Sequence, residues 1–559
     1  MTEKLKLNIL NTDQKTPLMK RLFSVRDIAC DPEDFLNPSF KNYRWDPQKL
    51  ADMDKAIELI FEHIQKQSKI VIFGDYDVDG ITSSFCIYTY FTKFLKYKNI
   101  EILYPNRLTD GYGLKNKHID IMVEKNIDLI ITVDNGITSI GEADYAREKG
   151  LQLIITDHHH ALDTLPNADA IVNPQVSDEY EFKWIAWVGV AFKLINALMI
   201  QGDMNKEEMK KIFEYLLPVV AIGTVADCVP LVDENRAMVK RWLKIINKER
   251  EKIPESLKGF LKHVNIKDQM NTFHIGFVIG PRINAGGRLA SPYDSLNTLL
   301  HTWEKQVQYL KKIDAINTER KKLQDTAHKH AIQQLNHDHN ILVAIDASYH
   351  EGIVGIVSGR ITEKFYKPSM VLHKCEERGI AVGSLRAPEY FSIIEMLKTA
   401  DHLLDRFGGH KQAGGLTVKL ENLESLTEHF IAYTDKIIAE EDLVRTVNID
   451  THILPNERDY SILHQIEQLE PFGVGNEEPL FILENCTVVS CGKVGQRGKW
   501  HLKMTVQFYE NLINVLRWSK GDCIGDYIIG TTRNIIGKIK PDSFNGWHFV
   551  DCNQILSTS

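Results

Sequence analysis

No two cysteines in this chain are spaced as CxxC. The eight (Cys30, Cys86, Cys228, Cys375, Cys486, Cys491, Cys523 and Cys552) are scattered without framework spacing. That argues against a zinc ribbon and for a reducing compartment. No run of about 18 apolar residues occurs, so a membrane span is not expected. The start, MTEKLKLNIL, lacks an apolar core of signal-peptide length. A cytoplasmic protein is the expectation. A basic excess is also missing: 67 Lys and Arg against 75 Asp and Glu leave a net charge of −8. This excludes nonspecific wrapping of nucleic acid by the whole surface, but not a local basic groove. With 43% hydrophobic and 25% charged residues over 559 positions, the chain has an ordinary soluble composition and room for several domains.

What is present centres on Val71–Ser83, VIFGDYDVDGITS. The apolar run Ile70–Phe73 reads as a buried strand. It ends at Gly74 and delivers Asp75, Asp77 and Asp79 at alternate positions, followed by Gly80 and a helix-like segment from about Thr82. Acids crowded at a strand-to-helix turn repel one another unless something positive sits among them, and a divalent cation is the simplest candidate.

The chain then alternates. Residues 1–50, punctuated by Asp31-Pro32, Asn37-Pro38 and Asp46-Pro47, read as a loop-rich lead-in packed on the first domain, and 48–66 as an amphipathic helix. Helices are expected at 82–97, Asn116–Lys125 and Ser139–Lys149. Strands are expected at Ile100–Tyr104, Leu129–Val133, Leu151–Thr156 and Ala170–Val172. Such alternation predicts a parallel sheet covered by helices, with ligands bound beyond the carboxyl ends of its strands. Three strands end in polar clusters: Asp75/Asp77/Asp79, then Asp134-Asn135-Gly136, then Asp157-His158-His159-His160. Delivered to one edge, these make a site. One imidazole suits a metal and a neighbour suits a phosphate oxygen, with Asp157 orienting one of them. A fourth acid, Asp227 in GTVADCVPL, follows Leu216–Ile222, whose period does not separate helix from strand.

GPRINAGGRL sets Asn284, Arg282 and Arg288 in a Gly-rich loop, and guanidinium pairs well with phosphate. From Trp303 to His350 there is neither Gly nor Pro. Val307, Leu310, Ile313, Ile316 and Leu323 form a stripe with Lys311, Lys312, Arg320, Lys321 and Lys322 around it, which predicts one long helix over 304–335. A second α/β segment runs from Ile341–Ile345 through Met370–His373 and Ala381–Ser384 to GGHKQAGG, which includes His410. That loop is a plain turn or a backbone nest for phosphate. After about 445 the chain is strand-rich. Residues 486–559 hold nine Lys/Arg against five Asp/Glu, with Trp500, Phe508, Trp518, Phe544 and Trp547 among them. Basic residues interleaved with aromatics on a small β domain suit single-stranded nucleic acid.

For the acidic turn itself three other readings compete. An EF-hand requires Glu at its twelfth position, where Cys86 stands. A haloacid-dehalogenase-type phosphatase resembles Asp77-Val78-Asp79-Gly80 but leaves the histidines unexplained. A solvated acidic turn fits one motif and not the ordered set.

The ordered set GDYDVDG, VDNG, DHHH, GTVADCVPL, PRINAGGR, long helix, GGHKQAGG and PFGVGNEEPLF resembles the DHH phosphoesterase family, and within it the bacterial RecJ branch of single-strand exonucleases. The resemblance runs from about residue 25 to the end. It implies a parallel-sheet DHH domain at 51–300 after a lead-in at 1–50, and a connecting helix at 301–338. A smaller α/β DHH-associated domain at 339–445 and a C-terminal OB-fold β-barrel within 446–559 would follow. By resemblance, Asp75, Asp77, Asp79, Asp134, His158 and Asp227 are metal ligands, with Asp134 bridging two Mn2+ or Mg2+ ions. His159, Asp157 and Arg282 are catalytic. Arg107, Ser384 and Arg386 hold a 5′-terminal phosphate, Tyr112 packs near DNA, and Asn284, Arg288 and His410 complete the substrate contacts. Family members with a histidine four positions before the middle Asp have Phe73 here. Phe73 cannot ligate, which leaves open the acid that completes that shell. The implied activity is metal-dependent 5′→3′ hydrolysis of single-stranded DNA in repair and recombination, by a monomer supplied by a single-strand-binding protein and a helicase. The alternatives are a phosphodiesterase for small oligoribonucleotides or cyclic dinucleotides, and a non-catalytic replication factor.

Overall fold

In the computed structural model, the apolar runs of the first half form one parallel sheet. Its spatial order is Ile100–Leu103, Ile70–Gly74, Leu129–Val133, Gln152–Thr156, Ala170–Val172. Ile70–Gly74 and Leu129–Val133 are buried along their whole length, as strands covered on both faces must be. On one face Val71 and Phe73 pack with Ile119 and Met122 of the helix Asn116–Glu124 and with Ala143 and Ala146 of Ile140–Glu148. The other face carries the helix Val78–Thr89, packed on Trp187–Gln201 and Lys206–Ala226. The structure describes residues 5–26, 28, 30–38, 45–107, 109–266, 269–457, 461–496, 499–542 and 546–557.

Two local expectations are corrected, and one reading left open is decided. The helix after the acidic turn begins at Val78 rather than near Thr82. Asp77 is its N-cap, its carboxylate accepting from Asp79 N (2.9 Å) and Gly80 N (3.0 Å). Arg282 and Arg288 do not lie in a loop: Gly280–Leu289 is a helix. Its glycines serve packing, since a Cβ on Gly287 would stand 2.3 Å from the Tyr76 carbonyl oxygen. Leu216–Ile222 belongs to the helix Lys206–Ala226, so Asp227 ends a helix and not a strand.

The long helix spans Trp303–Gln334. Its buried stripe is Gln306, Leu310, Ile313, Asn317, Arg320, Gln324, Ala327 and Ala331. The expected stripe was wholly apolar. Instead Val307 is exposed, and three polar side chains occupy the middle of the buried seam. Beyond it, Arg406–Gly409, Ala413–Lys419, Ile380–Arg386, Ser369–Cys375 and Leu342–Asp346 form a mixed five-stranded sheet. Its last pair is parallel and the others antiparallel. GGHKQAGG is the tip of the hairpin Arg406–Gly409/Ala413–Lys419. All these elements lie in one unit, Arg44–Val229 with Arg241–Leu443.

The second unit comprises Met1–Tyr43, Pro230–Lys240 and Val444–Ser559. Phe481–Gln496, Lys499–Phe508, Asn511–Arg517, Gly546–Ser557 and Thr532–Asp542 close into a five-stranded barrel through the pairing of the first with the last, the OB-type closure. Of the expected lead-in, Trp45 to Leu50 belong to the first unit, where the Trp45 ring lies 6.1 Å from that of Tyr180, and Met1–Tyr43 belong to this one. Leu5–Asn11 runs parallel to Arg445–His452, and Leu18, Leu22 and Phe35 join the core of the barrel unit. Its partner strand lies some 440 residues away in sequence, a distance at which local pattern carries no signal. Phe508 is core, while Trp500 and Trp518 are exposed. Phe544 and the Trp547 side chain lie outside the described residues.

Arg236 anchors the short insertion of this unit. It lies over the Phe35 ring and donates to the carbonyls of Phe35, Leu469, Glu470 and Pro471. Arg236→Met strands those buried oxygens. It should cost about 3 kcal/mol, read as a lower urea midpoint of the barrel unit.

Candidate active site

The carboxyl ends of the central strands converge. Asp75 follows Ile70–Gly74, Asp134 follows Leu129–Val133, and Asp157 to His159 follow Gln152–Thr156. The helix Lys206–Ala226 ends at Asp227 and brings it to the same place. Three overlapping groups each hold ligand atoms within 4.8 Å of one another: Asp75, Asp77 and Asp134; Asp79, His158 and Asp227; Asp134, His158 and His159. Asp134 and His158 each belong to two of them.

Local backbone fixes each acid. Gly80 lies where a Cβ would meet Asp75 O at 2.4 Å, so the helix start folds tightly against the strand end. Asp134 adopts φ of 62°, a left-handed conformation uncommon away from glycine and frequent at functional sites. Asn135 Nδ2 holds this turn by donating to Val133 O (2.8 Å) and Phe73 O (3.2 Å). Asp79 accepts from Trp187 N and Val188 N, both at 2.9 Å, at the start of the helix Trp187–Gln201. The positive end of that helix stabilises its charge. This support, more than a hundred residues downstream, left no local mark in the sequence.

Burial pushes the Asp75, Asp134 and Asp227 carboxyls well above the usual range, and the charges of neighbouring acids add to it. Asp79 is pushed up to about 7, by burial first and then by Asp77. Asp75 Oδ1 and Asp227 Oδ2 are buried without a hydrogen-bond donor. Orphaned carboxylate oxygens packed among like charges are what a divalent cation relieves, and the all-oxygen-plus-imidazole donor set suits Mn2+ or Mg2+. Phe73 is buried against His118, ring centroids 4.9 Å apart, and is no part of this set.

The two histidines divide by environment. His158 Nδ1 faces Ile185 O at 3.3 Å, which turns Nε2 toward Asp134 (3.7 Å) and Asp227 (3.8 Å). Burial, then His159, pulls His158 down to about 4, so it is a neutral donor at physiological pH. His159 Nδ1 bonds Asp157 Oδ1 at 2.7 Å. Despite desolvation, that contact holds His159 above the ordinary value and Asp157 below it. Asp157 also accepts from Ile137 N (2.9 Å). Tyr112 donates to Asp134 O at 2.7 Å and sits 3.3 Å from His159 Nδ1.

The predicted arginines separate into two places. Arg107 lies over the Tyr76 ring at 5.0 Å and shares a cavity of about 140 Å³ with Arg288. Arg288 is pulled down to about 10 by burial, then by Arg107 and Arg320. Arg386 is lowered by burial and then by Arg107. It borders Gly355 together with Ser384, in the first turn of the helix Val354–Phe365. Guanidinium groups that depress one another form an anion site. His410, from the smaller lobe, is lowered by burial and by His159 and His160, so it faces the histidine cluster. Asn284 Oδ1 accepts from Val78 N (3.1 Å). Arg282 is engaged elsewhere: Nε donates to Asp314 on the long helix (2.7 Å) and Nη1 to Val278 O (2.6 Å). Tyr76 and Trp187 were missed by motif reading: Tyr76 stands inside GDYDVDG, where only the acids were weighed, and Trp187 lies outside every motif singled out.

Without metal, the raised acids hold protons that the unfolded chain has already released. Stability then falls as pH rises through their folded values, and His159 acts in the same sense. His158 opposes this only between about 4 and 6.5, its folded and unfolded values. In chelator, the melting temperature should fall from roughly pH 6.5 to 8.5, and Mn2+ should reverse the trend. Thermal melts in both buffers measure it.

The chain matches three families: "DHH family, N-terminal domain" over residues 69–224, "DHHA1 domain" over 338–436 and "RecJ OB domain" over 449–553. It is 33% identical to the single-stranded-DNA-specific exonuclease RecJ of Bacillus subtilis over 95% of this chain, and spans 66% of that protein's length. It is 31% identical to the Haemophilus influenzae RecJ, covering 89% of this chain and 88% of that one. The Escherichia coli RecJ is 32% identical over 88% and 86%. The fold matches RecJ in complex with Mn2+ from Thermus thermophilus at a TM-score of 0.82, with 24% identity, covering 100% of this chain and 80% of that one. An exonuclease RecJ bound to manganese matches at 0.60 with 28% identity, covering 70% of this chain and 98% of that one. With its three matched regions in order and its near-full coverage of the Haemophilus and Escherichia proteins, the chain belongs to the RecJ family of single-stranded-DNA-specific exonucleases.

Proposed function

We propose that this chain removes 5′-mononucleotides from single-stranded DNA in the 5′→3′ direction by metal-dependent hydrolysis, during repair and recombination. The observation that carries the reading is the crowd of five carboxylates and two imidazoles at one sheet edge, with a cluster of arginines beside it. Asp75, Asp77 and Asp134 would hold one cation, Asp79, His158 and Asp227 a second, and Asp134 would bridge. The solved relatives named with Mn2+ support manganese. Bound Mn2+ or Mg2+ supplies an acidified water and neutralises the phosphate.

The side chains do the rest. His159, whose proton affinity Asp157 raises, would offer Nε2–H to a non-bridging phosphate oxygen and offset the charge that develops there. Tyr112 fixes the Asp134 turn. Arg107, Ser384 and Arg386 receive the terminal 5′ phosphate, which sets polarity. Arg282, paired with Asp314, fixes the helix Gly280–Leu289 against the long helix, and so positions Asn284 and Arg288. His410 closes the catalytic cluster from the opposite lobe. Trp500 and Trp518, exposed on the barrel, offer ring faces to bases further along. We assign a single-strand-binding protein and a helicase as suppliers of ends, on family resemblance, and a monomer acting in the cytoplasm. Among the described residues no helix is long and apolar enough to cross a membrane.

A panel of 5′- and 3′-labelled single strand, duplex, RNA, dinucleotide and pyrophosphate tests the activity. Asp77→Ala and His158→Ala should each lose at least about 100-fold in kcat/KM; full cleavage by either removes the site assignment. Arg386→Met should raise KM roughly tenfold for 5′-phosphorylated strands and leave 5′-hydroxyl strands unaffected. An equal effect on both ends contradicts the polarity pocket.

A further inference from the structure

Beside the acid cluster lies a second cavity, of about 180 Å³, whose lining includes Ala226, Gly276, Asn284, Arg288, Arg320 and Ile356. Among the described residues no carboxylate lines it. Ala226 immediately precedes Asp227, so the cavity adjoins the candidate metal ligands.

Arg320 is the unusual member. It sits in the buried seam of the long helix and is only 9% exposed. Its guanidinium donates to neutral amides: Nε and Nη2 to Asn317 Oδ1 (3.2 and 2.9 Å), and Nη1 to Gln324 Oε1 (3.1 Å). Asp325, the acid whose charge reaches it, is ion-paired with Arg360 at 2.7 Å. Two of the five guanidinium donors are left over. Arg288 spends one donor on Gly352 O (3.2 Å). Asn284 uses its oxygen on Val78 N, which leaves its amide N–H groups. Burial, with Arg107 and Arg320 acting on Arg288 and Arg360 acting on Arg320, raises the cost of these buried charges, which an anion would offset.

The wall of the cavity continues into two exposed rings. Gly276 is flanked by Phe277 and lies three residues after Phe273. These phenyl groups are stacked at 4.8 Å with planes 23° apart, and are 69% and 58% exposed. Two large apolar faces left in water, close in the chain to a cavity lined by two arginines, match the alternation of phosphate and base in an unpaired strand.

We propose that Arg320, with Arg288 and Asn284, binds an internal phosphodiester of the substrate strand, and that Phe277 and Phe273 stack the adjoining base. This rests on the single-strand exonuclease reading and extends it to the strand downstream of the cleaved bond. The polar seam of the long helix thereby acquires a reason: Asn317 and Gln324 aim the guanidinium without neutralising it.

The test is binding of a fluorescent 5′-phosphorylated oligothymidylate to the full chain without divalent metal, by anisotropy across a KCl series. Each phosphate neutralised on a single strand adds about 0.7 to the slope of log K against log salt. Arg320→Gln should shallow the slope by about 0.7, and Arg320→Lys should retain it. Phe277→Ala, at an exposed position, should weaken binding about tenfold with no change of slope, and an abasic substrate should abolish that difference. An unchanged slope in a folded Arg320→Gln protein, or a Phe277→Ala protein with wild-type affinity, overturns the site while the activity reading stands. So does an Arg320→Gln effect confined to competition by inorganic phosphate or thymidylate, which marks a product site. A wild-type protein that binds no single strand overturns the activity reading itself.

Discussion

Carboxylates that share a buried space repel one another, and here Asp75, Asp134 and Asp227 are all pushed above their ordinary range by burial and by neighbouring acids. The surrounding structure works to hold them. The parallel register of three fully or mostly buried strands places the acids at one edge. Asp77 spends an oxygen capping the helix Val78–Thr89, and Asp79 draws on the amide dipoles at the start of Trp187–Gln201. The left-handed turn at Asp134 is clamped by Asn135 and Tyr112. Such strain persists where the fold over-determines it, and the return is a set of oxygens ready for cations.

The same field sorts the chemistry of nearly identical neighbours. His158 and His159 are consecutive, yet burial lowers the proton affinity of one to about 4, while Asp157 outweighs burial and raises that of the other. Two like groups with opposed proton affinities separate the roles of ligand and phosphate contact. The arginines repeat the logic with opposite sign. After burial, Arg107 raises the cost of charge on both Arg288 and Arg386, which favours an anion beside them. Arg282 resembles them in sequence but is ion-paired with Asp314 on the long helix.

Much of this was legible in the chain itself. Period-two and apolar runs marked the strands Leu129–Val133 and Ala170–Val172 at their observed bounds, because buried parallel strands read as continuous hydrophobic stretches. The absence of Gly and Pro over 303–350 marked the long helix Trp303–Gln334. Other elements misled for physical reasons. GPRINAGGRL looked like a loop because glycine permits turns as well as close packing, and only the proximity of Tyr76 O distinguishes the two. The long helix was expected to bury an apolar stripe, but buries Asn317, Arg320 and Gln324, with Arg320 lining a cavity that it shares with Asn284 and Arg288.

The sequence by itself determined the ligand types and their order: acids and imidazoles at strand ends, arginines later, aromatic and basic residues in the last barrel. Those are properties of short segments, set by local period and by which side chains follow an apolar run. Tertiary structure decided which of them meet. Only folding brings Asp227 from a helix end to His158, sets Trp187 N–H beside Asp79, separates Arg282 from Arg288, and carries Leu5–Asn11 to Arg445–His452. Contacts across tens to hundreds of residues depend on packing that no local window contains, and proton affinity depends on the burial and charge that such packing creates.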